Sequence, residues 1–173
     1  MPVIELVPYS PACFEPFLRW RAQDATVRHN PLAALTPVEV RVMLAAERSE
    51  LDGEGNYRWF VRHEGAVVGS VSLKSVNPRM GYAEIGYGFC ETVHGRGVGT
   101  AAVRALVARV FAESPLRRLV AYVHDQNVAS CRLLDRLGFT REGVLREHYV
   151  IRGAPVDEVV FGLLRREWVV SPA

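Results

Sequence analysis

The sequence predicts an α/β fold of the α+β kind, helices packed on one mixed and mostly antiparallel sheet, in the order βααβββαβαββ. Three observations lead there. Residues 57–63 and 66–75 read as strands and meet at Glu64-Gly65, the pattern of a hairpin. Residues 81–89 alternate like a strand, enter a glycine-rich turn and give way to an Ala/Val-rich helical run before another strand-like stretch at 118–124. That crossover makes two neighbouring strands parallel, and a ligand belongs at their carboxyl ends. The 173 residues, 49% of them hydrophobic, suffice for one packed domain spanning residues 1–173.

Taken in order, Pro2 to Pro8 alternates as a short first strand. Ser10 to Arg28 and Thr36 to Glu50 read as two helices separated at Asn30-Pro31. The second opens with Thr36 as a cap, Pro37 in the first helical position and Glu39 closing a capping box. Asp52-Gly53-Glu54-Gly55-Asn56 breaks the pattern ahead of the hairpin, Tyr57 to His63 and Ala66 to Ser75, and Asn77-Pro78 turns into the strand Gly81 to Phe89. A helix follows from Val98 to Phe111, then a strand from Arg118 to His124, then a short helix from Asn127 to Leu137 with Gly138 placed for a left-handed cap. Thr140 to Ile151 and Val156 to Leu164 close the chain as a strand pair.

Composition excludes several classes. No stretch approaches ~18 consecutive apolar residues, and no basic segment leads into an apolar one at the start, so neither a membrane span nor a signal peptide is expected and the cytoplasm is the default location. The 21 basic and 19 acidic residues leave a net charge of +2 with no concentrated basic run, which argues against nucleic acid as a partner. Cys13, Cys90 and Cys131 are odd in number and scattered, unlike a disulfide framework. His29, His63, His94, His124 and His148 show no metal-ligand spacing, and no metal is expected.

The most informative segment runs from Glu91 to Thr100, where Gly95, Gly97 and Gly99 alternate just ahead of the helix. Glycine turns with positive φ and lets a ligand approach the main chain. The first helical turn adds unpaired N–H groups and a partial positive charge, and the two together suit a phosphate or pyrophosphate. A tight turn that binds nothing is the plain alternative. A P-loop is not matched, because no lysine follows, and a dinucleotide fingerprint is not, because Thr100 stands in its last glycine position.

A second constellation starts the short helix. Leu133, Leu134 and Leu137 mark its buried stripe, with Ser130 at the amino end of that stripe and its hydroxyl turned inward. Asn127 serves as the N-cap, and Ser130 can bond within the first turn; either role can stand alone or beside a function in a cleft between the two helix starts.

With strand, glycine loop, helix, strand and Asn127-x-x-Ser130 in this order, the chain resembles the GCN5-related N-acetyltransferases, and within them the RimJ/RimL-like group that acetylates peptide N-termini or small amines. His94-Gly95-Arg96-Gly97-Val98-Gly99 is similar to that family's Gln/Arg-x-x-Gly-x-Gly/Ala loop, with His94 in the first place. Asn127 to Ser130 followed by Leu137-Gly138-Phe139 is similar to its second signature, and Leu145 to Tyr149 with Asp157 to Leu163 to its closing strands. The resemblance implies acetyl-CoA as acyl donor, a splayed central parallel strand pair, and pantetheine running along the strand edge near Phe89, Cys90 and Glu91. It implies a pyrophosphate site built from His94, Gly95, Arg96, Gly97, Val98, Gly99 and Thr100, with Asn127 beside it. Many relatives carry a tyrosine, proposed to protonate the departing thiolate, where this chain has Leu134; Ser130 is the implied substitute. A homodimer is expected by family analogy alone.

The implied reaction is direct attack of a primary amine, on a peptide N-terminus or a small molecule, on the thioester carbonyl. Glu84 is the candidate base, since strand alternation groups it with Tyr82, Gly86 and Gly88; an exposed carboxylate or a structural ion pair is its other reading. Tyr149 is a candidate for binding substrate or donating a proton, with strand packing as the alternative. Cys90 and Cys131 lack a sequence-adjacent base for an acyl-enzyme. A non-catalytic acyl-CoA-binding module and a protein binding another diphosphate remain the competing readings.

Overall fold

The computed structural model describes residues 1–31 and 35–168. Seven strands form one sheet in the order β1-β2-β3-β4-β5-β7-β6, with β1 at Glu5–Val7, β2 at Gly55–His63, β3 at Ala66–Asn77, β4 at Tyr82–Phe89, β5 at Arg118–His124, β6 at Thr140–Ile151 and β7 at Ala154–Leu164. Every neighbouring pair is antiparallel except β4 and β5, as the crossover requires.

Among the described residues five α-helices accompany this sheet: α1 (Phe14–Arg21), α2 (Asp24–Val27), α3 (Pro37–Ala46), α4 (Val98–Glu113) and α5 (Val128–Arg136). The expected helix over residues 10–28 is divided: a 3-10 turn at Pro11–Cys13 leads into α1, and Gln23, with extended backbone, separates α1 from α2. The reason lies in the apolar stripe. Phe14, Phe17 and Trp20 are buried, whereas α2 has no buried residue to hold it in register with α1. In α3 the capping box forms as expected, the Glu39 amide donating to Thr36 Oγ1 at 3.3 Å and the Thr36 amide to Glu39 Oε2 at 2.8 Å. The helix stops at Ala46 rather than Glu50, because Glu47 turns extended and grips Arg58 of β2.

Strand alternation sorts the core into two layers. Tyr57, Trp59 and Val61 face α4 and α5, whose Val98, Ala102, Leu106, Val110 and Leu134 complete the larger cluster. Phe60, one residue out of phase, faces the other way, against Phe14, Phe17, Trp20, Val40 and Leu44 of the first helices. A fully buried Val or Leu contributes roughly 1.5–3 kcal/mol relative to exposure, so α4, with eight buried residues, is the element that fixes its own starting loop.

The parallel pair is short. β4 and β5 match only at Tyr82 with Arg118, Ala83 with Leu119 and Glu84 with Val120, while β5 continues beside β7 as far as His124. Beyond Glu84 the two central strands part, and the wedge between them opens toward the glycine loop.

Candidate active site

The loop ahead of α4 is built from left-handed glycines, Gly95 at φ +73° and Gly97 at φ +78°. Gly97 is the N-cap of α4 and has no side chain to satisfy the helix start. Among the described residues, the amides of Gly95, Gly97, Val98, Gly99 and Thr100 donate to no main-chain acceptor, and the ladder begins with Ala101 donating to Gly97 O at 3.0 Å. A Cβ on Gly95 would meet nothing within 4 Å, so the loop is open to an approaching group. Gly99 serves packing instead, since a Cβ there would stand 3.2 Å from Phe89 and 3.3 Å from Leu133.

This loop forms one wall of a cleft of about 390 Å³ that runs along the wedge. Phe89, His94, Gly95, Gly97, Gly99, Thr100, Asn127 and Ser130 line it, as do Arg132 and Arg136 from α5. Free amides, a helix start and two guanidinium groups fit the diphosphate of a coenzyme A thioester. The arginines are one helical turn apart, so their spacing in the sequence was the signal that could have found them.

Other expected residues hold the site's frame. His94 Nε2 bonds Phe89 O at 3.1 Å and so ties the loop to the end of β4. Arg96 reaches Glu64 in the hairpin turn at 3.7 Å, and Val98 is fully buried, contributing its amide alone. The Cys90 amide donates to Val68 O at 2.9 Å, and the Glu91 amide to Gln23 Oε1 at 3.0 Å. The Glu91 carboxylate in turn accepts from the Ala25 amide at 3.2 Å, latching β4 to the first helices. Neither Cys90 nor Glu91 lines the cleft.

A second cavity, of about 440 Å³, adjoins the first. The two share Thr26, Asn30, Tyr87, Gly88, Asn127 and Ser130. Asn127 caps α5 by accepting from the Ser130 amide at 3.2 Å, and this sets Ser130 at the junction. Beside it stands Tyr87 of β4, a residue the sequence reading passed over; it lies on the strand face opposite Glu84, the one that looks toward α5. Its hydroxyl is buried with no aligned hydrogen-bond partner among the described residues. Burial pushes the phenol up to about 12, and the Ser130 side chain acts in the opposite direction. Leu134 is fully buried and lines neither cavity, so the hydroxyls offered at the junction are those of Ser130 and Tyr87, with Thr26 across from them in the shared lining.

The second cavity is polar, and its carboxylates are matched. Glu47 binds Arg58 through two bonds of 2.5 and 2.9 Å, Glu84 lies 3.4 Å from Lys74 Nζ, and the buried Glu158 accepts from or donates to His148 Nδ1 at 2.8 Å. Tyr149 lines neither cavity; it is 40% exposed, with its ring 4.5 Å from that of His148. Burial pushes the Cys131 thiol up, which disfavours a thiolate nucleophile.

Residues 4–140 match the family model described as "Acetyltransferase (GNAT) domain". The chain is 33% identical over 119 residues to "Uncharacterized N-acetyltransferase p20" of Bacillus licheniformis, covering 68% of this chain and 67% of that one. It is 32% identical over 152 residues to "Probable N-acetyltransferase YjcK" of Bacillus subtilis (strain 168), covering 87% and 80%. Among solved structures it is similar to RimL, a ribosomal L7/L12 alpha-N-protein acetyltransferase in complex with coenzyme A, with a TM-score of 0.81, 20% identity and 93% of each chain covered. Sheet, loop and helix starts thus agree with a family match over most of the chain, and the protein belongs to the GNAT family of N-acetyltransferases, which use acetyl-CoA as acyl donor.

Proposed function

We propose that the chain acetylates a primary amine, foremost the α-amine of a peptide or protein N-terminus, by direct attack of the amine on the acyl donor. One observation carries this reading: the cleft with the free loop amides and the second cavity meet at a shared lining that holds the Ser130 and Tyr87 hydroxyls. Donor and acceptor can therefore arrive through adjoining cavities at one point, the proximity that amine transfer needs.

Acetyl-CoA, when bound, supplies an acyl group already activated as a thioester. The amides of Gly95 and of Gly97 to Thr100 would hold its diphosphate, with Arg132 and Arg136 as counter-charges, and would fix the reach of the acyl end into the wedge. Ser130 gives its proton to the departing sulfur, the role that Leu134 cannot fill. The preference for an α-amine follows from basicity: with a pKa near 8 it is partly neutral at pH 7, whereas a lysine amine near 10.4 costs about 4–5 kcal/mol to deprotonate. The structural likeness to RimL, an alpha-N-protein acetyltransferase, supports the same class.

Thiol release measured against peptides with free N-termini, polyamines and aminoglycosides tests the proposal. Peptides are expected to react fastest. Tight acetyl-CoA binding with no thiol release for any amine would favour the regulatory module instead. Ser130→Ala should lower kcat by about 100-fold while leaving acetyl-CoA affinity near that of the parent protein; an unchanged kcat would remove Ser130 from the chemistry.

A further inference from the structure

The second cavity contains a pair of imidazoles that the reaction described so far does not use. His29, just past α2, and His124, at the end of β5, are 95 residues apart in sequence, yet their Nδ1 atoms stand 3.0 Å from one another. Both line the cavity that receives the acceptor. His124 is buried, and Asp125 Oδ1 lies 3.3 Å from its Nε2, outside hydrogen-bond alignment.

Two Nδ1 atoms at this distance must share one proton, so the rings hold complementary tautomers. The Asp125 carboxylate beside Nε2 of His124 favours a proton on that nitrogen, which leaves Nδ1 of His124 as the acceptor. His29 then donates through Nδ1–H, and its Nε2 has the lone pair. The carboxylates of the same cavity are less free to act, Glu84 facing Lys74 and Glu158 facing His148.

Resting on the acetyl transfer proposed above, we infer that His29 is the general base for the acceptor amine and that His124 with Asp125 forms the proton's exit. The ammonium N–H bond breaks, and its proton goes to Nε2 of His29. The amine lone pair forms the new C–N bond as the C–S bond breaks; the thiolate takes the Ser130 proton, and the second proton that the nitrogen sheds on becoming an amide returns to the Ser130 oxygen. The charge on His29 passes on when its Nδ1 proton moves to His124, beside a carboxylate that is 43% exposed and opens to water.

The surroundings suit a neutral base. Burial lowers the His29 pKa, and His124 and Arg28 add to the effect, with Asp24 opposing. Asp125 flanks the pair after β5, and Glu158 of β7, in register with His124, brings His148 of β6. The ring is thus unprotonated at neutral pH and able to accept.

Two measurements test the inference, one needing no acceptor. Nitrogen-15 spectra of the free protein should show His29 as the Nδ1–H tautomer and His124 as the Nε2–H tautomer, and His124→Gln should abolish the complementarity. Two Nε2–H rings that titrate independently would overturn the pairing. In kinetics with the fastest acceptor of the peptide panel, His29→Gln should lower kcat/KM by about 100-fold at pH 7 and remove the limb assigned to His29, with partial rescue by added imidazole. Acetyl-CoA affinity should stay unchanged. An unaltered pH profile in His29→Gln, in a protein whose parent acetylates peptides, would sink the assignment while leaving acetyl transfer intact; a parent inactive toward every amine would sink the transfer reading itself.

Discussion

At the scale of single residues, the site rests on where side chains are missing as much as on where they reach. Gly97 occupies a left-handed conformation at the start of α4, and a Cβ there would meet only Pro2, at 3.6 Å. Gly97→Val should cost about 1–2 kcal/mol of stability from the backbone and leave a folded chain that has lost acetyl-CoA binding, readable by calorimetry beside a melting curve. Leu134 makes the opposite case. It is fully buried, so placing a tyrosine there adds volume to a filled core. Leu134→Tyr should destabilise by about 1–3 kcal/mol without raising kcat, checked by denaturant titration and steady-state rates. A rise in kcat would mean that position 134 reaches the wedge after all.

At the scale of elements, the site depends on α4 being held at both ends. Its start is the glycine loop; its far end is gripped by Arg165, whose guanidinium donates to the carbonyls of Phe111, Ser114 and Leu116. These acceptors lie at and just beyond the last turn, where carbonyls otherwise lack partners and a cation is favoured. Arg165→Ala should therefore cost about 3 kcal/mol, seen as a lower denaturation midpoint, with KM for acetyl-CoA rising less than stability falls. The elements were also the most legible part of the sequence. β5 and β6 have the bounds that alternation gives, and the capping box at Thr36 and Glu39 forms as its spacing demands. The division of α1 from α2 was hidden, because it follows from which residues find a partner layer and not from any helix-breaking residue.

At the scale of the whole molecule, the glycine-loop cleft could be read from the sequence and the second cavity could not. A diphosphate loop uses contiguous main chain, so its glycines and helix start announce it in one segment. The second cavity draws on α1, α2, α3, β2, β3, β4, β5, α5 and β7, and its histidines meet only after the sheet has formed. Tyr87 was missed for a related reason: alternation says which face it occupies, but only the position of α5 makes that face part of the site. The brief contact of β4 with β5 has a further outcome. Past Glu84 and Val120 the facing edges lack each other's hydrogen bonds, so the empty protein has a slot in the middle of its sheet. An extended amide-bearing guest of the right length can act there as a missing rung. Saturation with acetyl-CoA should then slow amide exchange along residues 85–89 and raise the melting temperature, by about 2.7 kcal/mol of stabilisation at 100 times Kd. Exchange slowed only at the glycine loop would show a tethered tail with its arm left in water. In the first outcome the acyl donor is also the mortar between two halves of one wall.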